Sequence, residues 1–294
     1  MIDTFLNLVP VTVVQSLLYA FAALAIMIPF RTLALPDLTV EGSLPLGGCL
    51  AAALLTAGLD AWSSTGLAVL AGCAAGMTTA LIHLHLRVPS LLAGVLVATM
   101  VWSVDLRTMA VPNRAVPPEL SIFDALSPAI LLDVHLQMLL MAAIVGLLVV
   151  GLLLLYRTEI GLALRCVGAN PRLAPALGIN GRLYVVAGFG LANAIAALGG
   201  ALIVQSQGYA DVTMGFGVLV NALAALIIGE AIVGRAGIGR QLAAPVLGSL
   251  IYYQLTSLGL ATGLNPSDLK FLTGAFVLIT LALPLLTGRQ RTIL

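Results

Sequence analysis

Apolar runs of about membrane-spanning length alternate with short polar segments along almost the whole chain. A helix of about 20 apolar residues crosses a bilayer. The pattern therefore predicts an all-α polytopic membrane protein with about nine transmembrane helices, within bounds of eight to ten, in a single domain over residues 1–294. The predicted spans cover residues 11–28, 46–59, 67–82, 91–104, 136–156, 184–204, 214–228, 242–260 and 269–286.

Between the first two runs, polar residues fall inside otherwise apolar sequence. Residues 36–48 read PDLTVEGSLPLGG, in which prolines and glycines interrupt the helical pattern and predict one broken helix. Irregular backbone at membrane depth is tolerated only where it is buried in protein or lines a water-filled cavity. We therefore expect Asp37, Thr39, Glu41 and Ser43 to lie at or beside a solute path. The alternative is a plain turn between two spans.

A second polar stretch, residues 158–181, contains arginines that a bilayer core would not accept. Its pattern predicts a short amphipathic helix that is stopped by Gly168, Asn170 and Pro171, then a second short turn from Leu173 to Leu177 closed by Gly178. The apolar positions that define the helix are Ile160, Leu162, Ala163, Leu164 and Val167. We expect Gly168 to permit the bend between the two elements. Such a bent pair suits docking into a groove on a partner, and a solvated connector is the alternative.

Arginines and lysines in the loops give the orientation, because they are enriched on the cytoplasmic side. Assigning alternate loops to one side leaves Arg107, Arg114 and Lys270 opposite the other ten basic residues. The ten on the predicted cytoplasmic side are Arg31, Arg87, Arg157, Arg165, Arg172, Arg182, Arg235, Arg240, Arg289 and Arg291. The same count makes residues 105–133 an external loop and places the N-terminus outside; a re-entrant broken helix or an extra crossing is the alternative, and it places the N-terminus inside.

Composition excludes several classes of protein. Hydrophobic residues make up 61% of the chain and charged residues only 9%, which leaves too little polar sequence for a soluble domain. The net charge of +1 gives no concentrated basic face for nucleic acid. The three cysteines lack metal-ligand spacing, and His83 and His85 point to different sides of a helix, so we expect no metal site.

Few residues within the predicted spans could carry chemistry. Asn193 and Asn221 are the best candidates to line a solute path, because a buried amide needs partners or water; simple hydrogen bonding between helices is the alternative. Residues 229–235 read GEAIVGR, which lacks the lysine and hydroxyl residue of a phosphate-binding loop. No catalytic motif of a hydrolase is present, so we expect neither an enzyme nor a nucleotide site.

Several segments resemble the permease subunits of ABC importers in the branched-chain amino acid and ribose permease superfamily. In residues 158–180 the matching positions are Thr158, Gly161, Arg165, Gly168, Asn170, Ala176, Gly178 and Ile179. Residues 36–48, 104–107, 226–232 and 267–274 are similar to the subgroup described as tryptophan and tyrosine transport permeases. Cys166, where a small alanine is usual, and Pro175 in the second turn depart from the pattern.

The resemblance implies a bacterial multi-pass plasma-membrane protein that works as a homodimer with an ABC ATPase dimer and an extracytoplasmic solute-binding protein. This chain would bind no cofactor, since ATP and Mg²⁺ would sit on the ATPase. Residues 158–181 would then be the cytoplasmic coupling segment, with Arg165 facing the partner. The expected solute is small and organic, most simply an aromatic or related amino acid. The alternatives are a sugar or nucleoside importer, a stand-alone ion-coupled transporter, and a membrane scaffold.

Overall fold

The computed structural model describes residues 2–126, 130, 133–262 and 274–275, and these residues are almost entirely helical. The α-helices are α1 (Ile2–Met27), α2 (Val40–Thr56), α3 (Ala61–Leu86), α4 (Ser90–Met109), α5 (Ile122–Leu126), α6 (Val134–Arg157), α7 (Glu159–Ala169), α8 (Gly181–Gln207), α9 (Val218–Val233) and α10 (Ile238–Ala261). A π-helical turn, Ile28–Thr32, continues α1, and 3₁₀ turns cover Pro118–Leu120, Ala174–Leu177 and Val212–Gly215. Strands β1 (Asn113–Ala115) and β2 (Tyr209–Asp211) pair antiparallel.

Within the described residues, six helices are long and apolar enough to cross a membrane, and α2 is a shorter apolar helix. The all-α polytopic class agrees with the prediction, but the count of about nine spans is not confirmed. Helix α10 coincides with a predicted span, yet Tyr252, Tyr253 and Gln254 make it less apolar than the six. The last predicted span, residues 269–286, lies almost wholly outside the described residues.

Helices α1 and α8 form the centre of the bundle, since most of their spanning residues are buried, whereas α4 and α6 lie at the periphery. Leu139, Leu147 and Leu154 of α6 are exposed, as are Leu96 and Met100 of α4. Apolar side chains on the outer surface are what a bilayer requires, because lipid replaces water as the solvent there.

The two ends of the bundle differ in their polar contacts. At one end, Glu230 pairs with both Arg31 and Arg235, with nitrogen–oxygen distances of 2.7 Å; we call this the arginine-rich end. At the other end, Arg114 donates to the Thr56 hydroxyl at 2.8 Å beside the β1–β2 pair; we call this the hairpin end. This grouping matches the alternation of loops that predicted the orientation.

One predicted boundary was wrong. The external loop was expected to begin at Asp105, but α4 continues to Met109. No helix-breaking residue precedes Pro112, so the helix has no reason to stop earlier. Asp105 is therefore part of α4 and is fully buried, rather than lying in a solvated loop.

Helices α3 and α8 pack through glycines of α3. A Cβ at Gly76 would overlap the carbonyl oxygen of Phe189, and one at Gly72 would overlap Ala197 and the Asn193 carbonyl. Small residues four positions apart let two helix backbones approach closely in a membrane, where packing replaces the hydrophobic effect as the attraction between helices. This contact brings Asn193 against α3 and fixes the middle of α8.

The glycine contact predicts a difference between two positions of the same helix. Gly76→Val should lower the stability of the folded protein by about 1 to 3 kcal/mol, because the added atoms have no space. Gly66→Val should have little effect, since a Cβ there meets no atom within 4 Å. The measurement is the temperature at which each purified variant loses its size-exclusion peak. Equal losses would mean that glycine itself, and not the α3–α8 contact, sets the effect.

Candidate translocation site and coupling segment

The break between the π-helical turn and α2 carries a fully buried carboxylate, Asp37. One oxygen accepts from the backbone N–H of Thr39 at 2.9 Å. The other accepts from the side-chain amide of Asn193 at 2.7 Å. Burying a carboxylate is costly unless its oxygens are hydrogen-bonded. Both oxygens of Asp37 are bonded, so the start of α2 is tied to the middle of α8.

The three predicted path residues that follow Asp37, namely Thr39, Glu41 and Ser43, differ in exposure. Thr39 and Ser43 are fully buried. The Thr39 hydroxyl lies 2.7 Å from that of Thr79 on α3, whereas the Ser43 hydroxyl has no hydrogen-bond partner among the described residues. Glu41 is half-buried, so among the three residues Thr39, Glu41 and Ser43 it is the one with an accessible side chain.

Glu41 joins two helix starts. Its carboxylate accepts from the backbone N–H of Gly217, the residue that precedes α9, at 2.8 Å. A helix N-terminus carries partial positive charge, which favours a carboxylate there. Pro45 removes the N–H that would bond the Glu41 carbonyl within α2, and a Cβ at Gly215 would overlap that carbonyl. The two chain segments therefore meet at backbone contact.

The residues after β2 repeat the pattern of the break. Asp37-Leu-Thr39 precedes α2, and Asp211-Val-Thr213 precedes α9. In both, the aspartate oxygen accepts from the threonine N–H, at 2.9 and 2.7 Å. Helix α2 runs toward the hairpin end, where Thr56 bonds Arg114, and α9 runs toward the arginine-rich end, where Glu230 bonds Arg31. Two short helices, of 17 and 16 residues, thus start near each other and run in opposite directions.

A cavity of about 220 Å³ lies where these helix starts meet α4. Glu41, Thr99, Trp102, Asp105 and Phe216 are among the residues that line it. The Trp102 and Phe216 rings form an edge-to-face pair with centroids 6.0 Å apart. The candidate translocation site, as used below, is this cavity together with the polar contacts of Asp37 and Glu41.

The two asparagines predicted to line a path are both engaged in contacts between helices. Asn193 is fully buried and, besides Asp37, donates to the Phe189 carbonyl at 2.9 Å. Asn221 is half-buried and accepts from the Tyr252 hydroxyl at 2.7 Å, which links α9 to α10. Neither residue lines the 220 Å³ cavity. Their part in transport stays a prediction, and the geometry adds that Asn193 holds Asp37.

Residues 158–181, the coupling segment, adopt the predicted bent shape. Thr158 caps α7 by accepting from the N–H of Gly161. The Asn170 side chain accepts from the N–H groups of Arg172 and Leu173, both at 3.2 Å, and starts the second turn. That turn is a 3₁₀ helix, Ala174–Leu177, which contains Ala176 and Pro175 and ends at Gly178 with φ 75°. Pro175 is compatible with it, since it occupies a first-turn position.

The buried side of α7 is narrower than expected. Ala163, Leu164 and Val167 are buried, but Ile160 and Leu162 are 58% and 62% exposed. Arg165 is also exposed. The segment therefore presents two large apolar side chains and a cation away from the bundle, on the part of its surface where a partner could bind.

The expected role of Gly168 as the bend was wrong. Gly168 lies inside α7 with helical backbone, and the left-handed glycine of the segment is Gly178. A Cβ at Gly168 would overlap the carbonyl oxygen of Thr32 in the π-helical turn. Only glycine fits at this position because α7 packs directly on the π-helical turn at the start of the break, a contact that a local sequence pattern does not reveal.

One further contact, just before the coupling segment, joins this region to the start of the break, and a groove lies beside it. The Thr32 hydroxyl lies 2.8 Å from that of Tyr156, one turn before α7. A groove of about 710 Å³ separates the segment from the break and the start of α8, with Leu35, His83 and Arg182 among its lining residues. The segment is thus held at Gly168 and Tyr156 and has open space beside it.

A family model for the permease component of branched-chain amino acid transport systems matches residues 10–282. The chain belongs to this family of transporter membrane components. It is 32% identical over 269 residues to a tyrosine transport system permease protein of Clostridioides difficile (strain R20291), covering 91% of this chain and 88% of that protein. No solved structure matches.

Two other relatives differ in coverage. An uncharacterized protein of Rickettsia prowazekii (strain Madrid E) is 32% identical over 287 residues, which are 94% of this chain and 98% of that protein. A nucleoside ABC transporter permease protein of Lactococcus lactis subsp. cremoris (strain MG1363) is 35% identical over 137 residues, only 44% of this chain and 40% of that protein. The similarity to a permease described for an amino acid thus extends over far more of this permease.

The sequence analysis missed three residues of the cavity. Asp105 was assigned to a loop, and Trp102 and Phe216 were counted as ordinary span residues. The repeated Asp-x-Thr pattern at Asp211 was a signal that could have found Phe216, because paired breaks in the two halves of a transporter commonly mark its binding site. Nothing local to Asp105 marked it as buried.

The repeated pattern yields a matched pair of variants. Asp37→Ala removes a hydrogen-bonded turn and leaves one N–H of the buried Asn193 amide without an acceptor, so it should cost about 1 to 3 kcal/mol of stability. Asp211→Ala removes the same turn at a half-buried position and should cost less. Thermal unfolding of both purified variants measures the difference. A loss for Asp211→Ala as large as that for Asp37→Ala would contradict a special role for the buried contact.

Proposed function

We propose that this permease is the membrane subunit of an ATP-driven ABC importer for a small solute with an amino group, in particular an aromatic or related amino acid. The observation that carries the proposal is the packing of α7 directly on the π-helical turn at the start of the break, at Gly168 and Thr32. An external force on the coupling segment can reach the candidate translocation site through this contact.

Only a few residues of the chain separate the contact with the coupling segment from the candidate translocation site. Thr32 is five residues before Asp37, and Arg31 pairs with Glu230 at the end of α9. A displacement of α7 would therefore move the start of α2 and the end of α9 together. These are the two short helices whose starts meet at Glu41 and Gly217. The 710 Å³ groove gives the segment room to move.

The solute path is proposed to run past the 220 Å³ cavity. Glu41 and Asp105 are carboxylates on apolar helices, and acidic groups within a membrane face protein or water rather than lipid. The exposed Trp102 and Phe216 beside them would accordingly be covered by a second copy of the permease, with the path between the two copies. A homodimer would keep the half-buried Glu41 carboxylate away from lipid, whereas Asp105 is already fully buried within one copy.

The partners follow from the division of labour in such a system. Two ATPase subunits would bind the coupling segments and supply the ATP and Mg²⁺ chemistry, and a solute-binding protein would deliver solute at the hairpin end. The permease would sit in a bacterial plasma membrane with its arginine-rich end in the cytoplasm, in accord with the distribution of basic residues. To shift an inward-facing to outward-facing ratio from 99:1 to 1:99, nucleotide binding must supply about 5.5 kcal/mol.

A nucleoside or sugar importer is the second candidate. It is favoured only by the partial match to the nucleoside permease, which covers 44% of the chain. The cavity argues for an amine instead, because it presents two carboxylates beside aromatic rings and no lining residue is basic. An ion-coupled carrier needs no ATPase, so it would not explain why α7 exposes the apolar side chains of Ile160 and Leu162.

The coupling hypothesis is tested by reversing one charge. Arg165→Glu should reduce ATPase copurification and ATP-dependent uptake of labelled L-tyrosine by tenfold or more, about 1.4 kcal/mol or more of lost contact. Arg107→Glu, an exposed arginine toward the hairpin end, is the matched control and should leave ATPase binding unchanged. Both are measured with the co-expressed transporter in membrane vesicles.

Unchanged uptake in Arg165→Glu vesicles would contradict the hypothesis that residues 158–181 couple the ATPase to transport. Uptake that continues without ATP and collapses with the ion gradient would identify the ion-coupled carrier. Uptake of a nucleoside but of no amino acid would favour the second candidate.

The path hypothesis is tested by thiol labelling. In a background that lacks Cys49, Cys73 and Cys166, cysteine at Glu41 should react with a small polar thiol reagent in membranes, because this position borders the cavity. Cysteine at Ser43, two residues away and fully buried, should react at least tenfold more slowly. Similar rates at the two positions would contradict the cavity as the accessible surface. Labelling is followed by mass spectrometry.

A further inference from the structure

Asp105 is a buried acid without a partner. It is fully buried, and neither carboxylate oxygen accepts a hydrogen bond within the part of the chain that the structure describes. Nor does it form an ion pair with any described basic side chain. Such a group is costly unless something compensates it. Asp37 shows the contrast, because both of its oxygens are bonded.

The position of Asp105 gives it access to a ligand. It borders the 220 Å³ cavity together with Glu41, Thr99, Trp102 and Phe216. An apolar cavity of about 150 Å³ binds a benzene ring, so this one has room for a ring and a short polar group. Trp102 and Phe216 are 43% and 62% exposed and supply aromatic surface beside the acids.

We propose that Asp105 is the binding residue for the ammonium group of the transported solute, with Glu41 contributing negative charge and the Trp102–Phe216 pair contacting the apolar part. The inference rests on the proposed function for the idea that the cavity lies on the solute path. It adds the contact that selects the solute: a primary amine attached to an aromatic or similar apolar group binds, and a neutral isostere does not.

The charges around the cavity fit this assignment. Glu41 has one oxygen bonded to the Gly217 N–H, so Asp105 is the carboxylate with its full bonding capacity free. An ammonium group donates three hydrogen bonds, and an ammonium over an indole face gains further attraction from the ring. The cavity lining contains no basic residue that would repel the cation.

The test uses a reporter that the chain already contains. Trp62 and Trp102 are the two tryptophans, so a Trp62→Phe background leaves Trp102, beside the cavity, as the fluorescent residue. The full-length permease in lipid nanodiscs is titrated with tyramine and, separately, with 4-ethylphenol, which has the same ring and no amino group. Excitation beyond the absorption of phenols isolates the tryptophan signal.

We expect tyramine to bind at least about tenfold more tightly than 4-ethylphenol, as befits a hydrogen-bonded charge pair. Asp105→Asn should reduce that preference to less than about threefold. Asp60→Asn, an exposed carboxylate at the start of α3 and away from the cavity, should retain it. Because Asp105→Asn removes an uncompensated buried charge, the variant should fold and melt at least as high as the parent. Tyramine should raise the melting temperature of the parent and of Asp60→Asn, but not that of Asp105→Asn.

Equal binding of the two probes, or a tyramine preference that survives in Asp105→Asn, overturns the assignment. Quenching and thermal protection by Na⁺ alone would make Asp105 a site for an inorganic cation and would overturn it as well. Binding is measured without ATP or ATPase, so a permease that binds tyramine through Asp105 and yet shows no ATP-driven import would disprove only the proposed function. Normal ATP-driven import in Asp105→Asn, together with loss of the tyramine preference, would overturn the assignment of Asp105 to the transported solute and leave the proposed function standing.

Discussion

The rest of the structure depends on the burial of the Asp37 carboxylate. A carboxylate inside an apolar bundle must have its oxygens bonded, and Asp37 obtains its donors from Thr39 beside it in the chain and from Asn193 in the middle of α8. That requirement fixes where the first long helix stops and where α2 starts. Glycines make the arrangement possible, because Gly76 brings α3 against Asn193 and Gly94 gives space beside Asp37.

A second constraint comes from the meeting of two helix starts. Helices α2 and α9 begin close together and run toward opposite ends of the bundle, so their positive N-terminal dipoles lie at the same place. Glu41 compensates one of them by accepting from Gly217. The same convergence leaves a cavity between the helix starts and α4. Binding space is in this way a consequence of breaking both helices.

Ion pairs at the arginine-rich end connect the chain before the break to the end of α9. Glu230 is almost completely buried and accepts from two arginines, Arg31 before the break and Arg235 after α9. Removing either partner from a buried ion pair leaves an uncompensated charge, so such pairs hold segments in register. With Gly168 packed on Thr32, the coupling segment touches the same short stretch of chain. The stretch around Arg31 and Thr32 therefore contacts both the end of α9 and the coupling segment, and it leads through the break to α2.

Local sequence was enough to predict the membrane class, the position of most helices, the break before α2 and the bent shape of residues 158–181. These depend on local physics: the length of apolar runs, the backbone limits of proline and glycine, and capping by Thr158 and Asn170. Even the pairing of Asp37 with its own Thr39 N–H is local. The resemblance to a permease family likewise followed from residues in order along the chain.

Which polar residues meet depends on how the helices pack in the folded protein. Asn193 is 156 positions from Asp37, and Gly217 is 176 from Glu41, so no periodicity could pair them. Gly168 and Gly178 look alike in sequence, yet close packing accounts for the first and left-handed backbone for the second. Asp105 changed from a loop residue to a buried acid because α4 continued past it and other elements covered it. Burial and partnership are set by the neighbours that the fold supplies, and a residue's own segment does not contain them.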